Sequence, residues 1–234
     1  MAKEFTGVFK RVEKKYLLDE EQYRALRQIL EPYMVPDEYG RSTICNIYFD
    51  TPDRYLIRTS LEKPIYKEKL RLRTYGIPRD DSIAFVELKK KYKGVVYKRR
   101  VTMAYRDAYD WLCRGKPPKK DGQIIREIAW FLHFYENLQP AAALCYDRLA
   151  LYGREDHALR ITFDAGIRWR SAPYDLREGD SGAPLLGENQ HLMEIKTGGG
   201  MPIWLSDALC DLKIYPTSYS KYGTAYLSTL SHQV

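Results

Sequence analysis

The chain has 234 residues, 44% apolar and 29% charged, a globular composition that excludes an intrinsically disordered chain. At this length a core can form without disulfide or metal staples. Lys and Arg outnumber Asp and Glu by 38 to 31, and the resulting +7 points to an anionic partner without identifying it.

In chain order, the first strand is predicted at Phe9–Leu18 from its alternation. Asp19 then caps a helix predicted over Glu20–Met34, with acidic residues in the first turn and apolar positions at Leu26, Ile29 and Leu30. Strands follow at Thr43–Thr51, Ile65–Tyr75, Ile83–Tyr92 and Val95–Met103, the last two joined by a short hairpin at Lys93-Gly94. Tyr105–Cys113 and Gln123–Asn137 read as helices on either side of the breaker Arg114–Gly122. Ala142–Tyr152, Leu159–Arg170 and His191–Thr197 read as strands. The Gly- and Pro-rich stretch Ser171–Gln190 reads as a long loop or mobile hairpin. Pro202 starts a helix at Ile203–Leu212. Strand patterns of one kind occur throughout, so residues 1–234 are expected to form a single domain. The expected class is α+β: about eight antiparallel strands that curl or close, flanked by several helices.

The four Cys, at 45, 113, 145 and 210, have no metal-ligand spacing and are expected to be reduced thiols. The N-terminal stretch lacks the apolar run of a signal peptide. No window reaches the ~18 apolar residues of a membrane span. A cytoplasmic location is therefore expected.

Period-two alternation sorts the charges by face. In Lys67–Arg73, one face is Lys67, Lys69, Arg71 and Arg73, and the other carries Leu70 and Leu72. Glu87, Lys89 and Lys91 share a face, as do Lys98 and Arg100. So do Arg11, Glu13 and Lys15, and so do Glu194 and Lys196; Arg148 and Arg160 stand singly. Each could be the solvated outer face of a sheet. Alternatively, charges of nearly one sign on at least five strands form a surface that a polyanion fills, since like charges opposite one another are otherwise destabilising. Arg matches phosphate by bidentate hydrogen bonds and Lys acts as a point charge. Of the carboxylates on these faces, Glu13 reads as a partner for Lys or Arg. Glu87 and Glu194 could either relieve repulsion or hold a divalent metal against phosphate. There is no GxxxxGK[ST] loop and no GxGxxG after a strand, and Gly198–Gly200 reads as a flexible turn. The four His show no pairing, and no Ser or Cys nucleophile is evident. Phosphoryl transfer needs none of these; it needs positioning, charge neutralisation and a metal.

An ordered series of short motifs then resembles the VTC-type polyphosphate polymerase domain, within the CYTH-like triphosphate tunnel superfamily. The motifs are Arg11-Val-Glu-Lys-Lys-Tyr16, Tyr48-Phe-Asp-Thr51, Lys69-Leu-Arg-Leu-Arg73, Val86-Glu-Leu-Lys89, Tyr97-Lys-Arg-Arg100, Tyr146-Asp-Arg148, Arg160-Ile-Thr-Phe-Asp164, Met193-Glu-Ile-Lys196 and Tyr219-Ser-Lys-Tyr222. The resemblance implies a closed antiparallel β-barrel forming a basic tunnel. It also implies transfer of the γ-phosphoryl group of ATP to inorganic polyphosphate with Mn²⁺ or Mg²⁺. Arg71, Arg73, Lys89, Lys98, Arg148 and Arg160 would act in catalysis. Lys15, Arg100, Lys196, Lys221 and Glu87 would serve substrate and phosphate binding, and Glu194 would hold the metal. The acceptor phosphate is already ionised, so no protein base is required. CYTH triphosphatases begin with ExExK; here Arg11 stands at the first Glu, which moves the expectation from hydrolase toward polymerase. A separate membrane protein could take up the product, placing the chain at the cytosolic face of a membrane. The alternatives are a CYTH-like inorganic or nucleoside triphosphatase, and a non-catalytic module binding polyphosphate or RNA. No nucleic-acid motif appears, so no specific nucleic acid is expected.

Overall fold

The computed structural model describes residues 12–93 and 95–231. Arg11 and Gly94 lie outside the described residues, and with them the readings placed on the start of the first strand and on the hairpin glycine.

Ten strands and six α-helices follow in the order β1 (Val12–Asp19), α1 (Glu20–Leu30), β2 (Met34–Asp50), α2 (Tyr55–Leu61), β3 (Tyr66–Tyr75), β4 (Ile83–Tyr92), β5 (Val95–Ala104), α3 (Tyr105–Arg114), α4 (Gln123–Phe134), β6 (Gln139–Gly153), β7 (Arg160–Arg170), β8 (Ala183–Pro184), β9 (Gln190–Thr197), α5 (Ile203–Asp211), β10 (Pro216–Thr217) and α6 (Lys221–Ser231). The chain forms two compact units. Among the described residues, the first comprises residues 12–42, Arg148–Ala165 and Leu186–Tyr219. The second comprises the described residues of Thr43–Asp147, Gly166–Leu185 and 220–231. Among the described residues, no helix is long and apolar enough to cross a membrane.

In the first unit the alternation of β1 buries Tyr16 and Leu18 and leaves Lys15 and Leu17 on the other face. Tyr16 and Leu18 pack with Ile161 and Phe163 of β7, Met193 and Ile195 of β9, and Leu26 and Leu30 of α1. The expected cap is present: Asp19 Oδ1 accepts from Gln22 N at 2.8 Å, and Gln22 Oε1 accepts from Asp19 N at 3.2 Å. The helix stops at Leu30 rather than Met34, because Met34 is buried as the first residue of β2. Strand β2 thus begins nine residues before the predicted Thr43, in a stretch whose polar composition hides it.

In the second unit, Leu70 and Leu72 of β3 and Ala84, Val86 and Leu88 of β4 are buried against Tyr105, Ala108 and Trp111 of α3 and Ile128 and Phe131 of α4. Burying each such aliphatic side chain stabilises by about 1.5–3 kcal/mol. Asp50 ends β2 fully buried. It accepts from the backbone N–H of Thr51, Leu56 and Ile57 at 2.9, 2.8 and 3.1 Å and from the Tyr222 hydroxyl at 2.8 Å. One carboxylate therefore ties together a strand end, the start of α2 and α6, two helices that local patterning did not signal.

The closed barrel expected from the family resemblance is not what the strands form. Their hydrogen-bonded order is β10-β1-β9-β7-β6-β2-β3-β4-β5, with β8 pairing to β7. This is an open path of nine strands in a ten-stranded sheet, and it ends on β10 and β5. Alternation along each strand dictates faces but carries no information on whether terminal strands meet. At one end, β10 has two residues, and Pro216 has no N–H to donate to a neighbour. The predicted loop over Ser171–Gln190 contains a 3₁₀ turn at Leu176–Glu178 and the short β8.

Replacing Asp50 with Ala is expected to destabilise the protein by about 3 kcal/mol, because several donors, two of them backbone groups of buried residues, lose their acceptor. Tyr222→Phe should cost about 1 kcal/mol, as one hydrogen bond is lost. Urea unfolding checks both, and equal midpoints for wild type and Asp50→Ala would refute the role given to Asp50.

Candidate functional site

The charged faces anticipated from alternation become rows once the register is set. In the second unit, Arg71 pairs with Tyr48 of β2 on one side and Glu87 of β4 on the other, and Glu87 pairs onward with Arg100 of β5. Next to it runs Lys69–Lys89–Lys98. On the other side runs Asn46–Arg73–Phe85–Thr102.

Glu87 is 1% exposed. Arg71 donates to its Oε2 from Nε at 2.7 Å, Arg100 donates to Oε1 from Nε at 2.8 Å, and the Lys98 ammonium lies 2.6 Å from Oε1. The Arg73 guanidinium is 3.9 Å away. Burial alone would raise the Glu87 pKa, but Arg71, Arg73 and Lys98 outweigh it and hold the carboxyl well below the usual carboxylate range. Four cations thus share one anion. Glu87 relieves part of their repulsion and leaves an excess of positive charge suited to phosphate oxygens.

The guanidinium groups are also aimed by neutral partners. Arg73 Nε donates to Asn46 Oδ1 at 2.9 Å, and its terminal nitrogen donates to the Tyr146 hydroxyl at 3.0 Å. Asn46 donates in turn to Leu144 O at 3.1 Å. Arg71 donates to the Tyr48 hydroxyl at 3.3 Å. Lys69 lies 3.2 Å from Ser220 Oγ. The Lys221 ammonium, at the first turn of α6, sits 4.5 Å from the centre of the Tyr146 ring. Lys89 is exposed in the lysine row.

Two groups here titrate near neutrality. Burial pushes the Lys98 ammonium down to about 8; Glu87 opposes this, while Arg71 and Arg100 add to it. Burial would raise Tyr48, but Arg71, Arg73 and Lys69 outweigh it and bring the phenol down to about 8.

In the first unit, Lys15 of β1 pairs with Glu194 of β9, which pairs with Thr162 of β7. The adjacent row is Glu13–Lys196–Arg160. Glu194 is buried, with the ammonium groups of Lys15 and Lys196 at 3.5 and 3.4 Å. Lys15 also donates to Tyr219 O at 2.8 Å. The Lys196 ammonium lies 3.9 Å from Glu13, the pairing anticipated for that carboxylate. Arg148 makes a two-pronged contact with buried Asp164, Nε to Oδ1 at 2.6 Å and a terminal nitrogen to Oδ2 at 2.8 Å. Arg160 pairs with Asp37 at 3.5 Å.

The described residues hold no group of three or more His, Cys, Asp or Glu side chains arranged to bind a metal. A metal held mainly by phosphates needs less, since Mg²⁺ commonly takes one or two carboxylates and keeps substrate phosphates and water as its other ligands. Glu194 fits that requirement. Beside it in register, the buried Thr162 hydroxyl has no hydrogen-bond partner, an unused oxygen next to the carboxylate.

Alternation in the sequence had placed these cations on faces of their strands. It gave no role to Tyr48, Asn46, Thr162 or Asp164. Tyr48 and Asn46 lie two apart on one strand, and that alternation was a usable signal. Their apposition to Arg71 and Arg73 was not, because it depends on register.

The chain was then compared with known proteins. The VTC domain family model matches residues 10–230. No curated protein matches. Among solved structures, a candidate adenylate cyclase from Bacillus halodurans aligns at 15% identity with a TM-score of 0.57, covering 90% of this chain and 93% of that one. A candidate adenylyl cyclase from Hippeastrum, for which a dominant triphosphatase activity is described, aligns at 15% identity with a TM-score of 0.56, covering 91% and 93%. At such identities the likeness concerns the fold.

Stability and anion-binding measurements test the second unit's cluster. Glu87→Gln is expected to destabilise by about 3 kcal/mol, as breaking a buried ion pair does, with part of the loss recovered by added tripolyphosphate. The contribution of Glu87 to stability should be present above the ordinary carboxylate pKa and disappear as pH falls toward its lowered folded value. Tripolyphosphate affinity should fall as pH rises through about 8, because Lys98 loses a positive charge while Tyr48 gains a negative one. Calorimetric titration should show a shallower fall in Tyr48→Phe; identical slopes would remove Tyr48 from the account.

Proposed function

The chain belongs to the VTC domain family, and from that premise we propose that it is a polyphosphate polymerase, moving the γ-phosphoryl group of ATP onto the terminal phosphate of a growing chain. The observation that carries this reading is the row of Arg71, Glu87 and Arg100 flanked by Arg73 and Lys98, a cation-rich surface with one buried carboxylate. In phosphoryl transfer the transition state spreads negative charge over the phosphate oxygens, and pre-positioned cations stabilise it without reorganising. Arg71 and Arg73 are suited to this, since Glu87, Asn46, Tyr48 and Tyr146 hold their guanidinium planes. Lys69, Lys89, Lys98, Arg100 and Lys221 would bind and orient phosphates. In the first unit Lys15, Arg148, Arg160 and Lys196 would do the same, with Arg148 steadied by Asp164.

A divalent cation, Mn²⁺ or Mg²⁺, would be held by Glu194 with the Thr162 hydroxyl as a neighbouring oxygen, and would supply charge neutralisation of the phosphate oxygens when bound. The acceptor phosphate is ionised, so none of these side chains needs to remove a proton.

Purified protein incubated with ATP and Mn²⁺ is expected to yield ADP and an acid-labile phosphate polymer. ADP with orthophosphate alone would overturn the polymerase reading in favour of a triphosphatase, the activity described for the Hippeastrum protein of similar fold. Glu194→Gln should abolish metal-dependent turnover while the variant remains folded at the assay temperature, and Arg71→Ala or Arg73→Ala should lower kcat/KM by at least about ten-fold, the scale of one lost charge-assisted hydrogen bond. Wild-type kinetics in all three variants would remove these residues from the site.

A further inference from the structure

At the end of the second unit's sheet where β4 turns into β5, the packing rule that hides apolar side chains is broken. Ile65, Tyr66, Tyr92, Val95, Val96 and Tyr97 are all exposed, Ile65 at 68%. The register groups them: Tyr66 stands opposite Tyr92 and Tyr92 opposite Val95, while Tyr97 stands opposite Lys90 one row further in. The Tyr66 and Tyr92 rings meet edge to face at 6.5 Å. On the same side of the sheet, α4 brings the exposed Trp130 near, its ring 5.9 Å from the Lys90 ammonium and stacked 4.9 Å from exposed Phe134. The opposite side of the same strand ends carries Lys67 and Lys91 facing each other. Lys93, at the turn, lies over the Tyr92 ring at 5.5 Å. The charge here is mostly of one sign. Against Lys63, Lys67, Lys90, Lys91, Lys93 and Arg99 stand Glu62, the buried Glu68 and Glu127 of α4; Glu68 is taken up by Lys90 at 3.1 Å and the Tyr135 hydroxyl at 2.8 Å, and Glu127 by Arg99 at 3.1 Å.

We propose that this aromatic, lysine-bearing sheet end docks directly on an anionic lipid bilayer surface, with Tyr92, Tyr97 and Trp130 seated among the headgroups and Lys93 and its neighbours against lipid phosphates. Tyr and Trp combine an apolar body with a polar tip and concentrate at membrane–water interfaces. Lysines within a Debye length of an anionic leaflet each contribute about 1 kcal/mol. Charge complementarity selects this occupant over a second copy of the chain, since a twofold pairing of this end would bring lysines against lysines. The proposal concerns where the protein sits and does not depend on which phosphate chemistry it performs.

Sedimentation of the full chain with vesicles tests it. Binding is expected to vesicles of phosphatidylcholine mixed with phosphatidylserine and not to phosphatidylcholine alone, to weaken with added salt, and to shift tryptophan emission to the blue, a shift lost in Trp130→Phe. Lys93→Glu should lower the vesicle partition coefficient by at least about five-fold. Tyr92→Ser with Tyr97→Ser should lower it further; should that double variant fail to fold, Lys93→Glu alone decides. Equal binding to both vesicle types, no binding to either, or unchanged partition of Lys93→Glu would overturn the proposal. So would concentration-dependent dimerisation that Lys93→Glu abolishes in the absence of vesicle binding, which would assign this end to a second copy. Competition by soluble tripolyphosphate that removes binding to anionic vesicles while the tryptophan shift never appears would reassign the lysines to free phosphate.

Discussion

A single buried carboxylate governs the charged sheet of the second unit. Arg71, Arg73, Lys98 and Arg100 all approach Glu87, and without it their mutual repulsion would fall on neighbouring strands whose apolar faces form the core. The pairing is close enough to hold Glu87 ionised despite its burial. It nevertheless leaves the cluster cationic. The residual positive charge suits an anion with several oxygens, since guanidinium groups match such oxygens by bidentate hydrogen bonds.

The two units solve the same problem differently. In the second, one carboxylate faces an excess of cations, and neutral side chains such as Asn46, Tyr48 and Tyr146 fix their direction. In the first, charges are more nearly matched: Arg148 has Asp164, Arg160 has Asp37, and Lys196 sits with Glu13 and Glu194. A matched set is less avid for anions but retains oxygen atoms, among them the Glu194 carboxylate and, opposite it in register, the Thr162 hydroxyl, which has no hydrogen-bond partner. The family membership rests on a match over residues 10–230, and the likeness to the solved structures concerns the fold.

The same lysine-rich strands change character toward their ends. In the middle of β3 and β4, alternation separates leucine and valine from arginine and lysine cleanly. Toward the turn, Tyr66, Tyr92 and Val95 take the place of the buried aliphatics and stay exposed, with Lys90 on their side of the sheet and Lys67 and Lys91 on the other. A sheet end that shows both an aromatic and a cationic side satisfies neither water nor a protein core, and an interface between water and lipid accommodates both.

What the amino-acid order determined was local. Period-two alternation placed Lys69, Arg71 and Arg73 on one face and Leu70 and Leu72 on the other, and Asp19 marked the start of α1. These follow from the geometry of neighbouring residues, and they survive in the structure. Tertiary structure decided the rest: that Arg71 meets Glu87, that Thr162 stands beside Glu194, that Asp50 gathers α2 and α6, and that the strands end on β10 and β5 instead of closing. Each of these depends on partners distant in the chain. A strand's own pattern is unchanged by which neighbour it pairs with, so register and closure are written in the competition among whole-chain packings and not in any one segment.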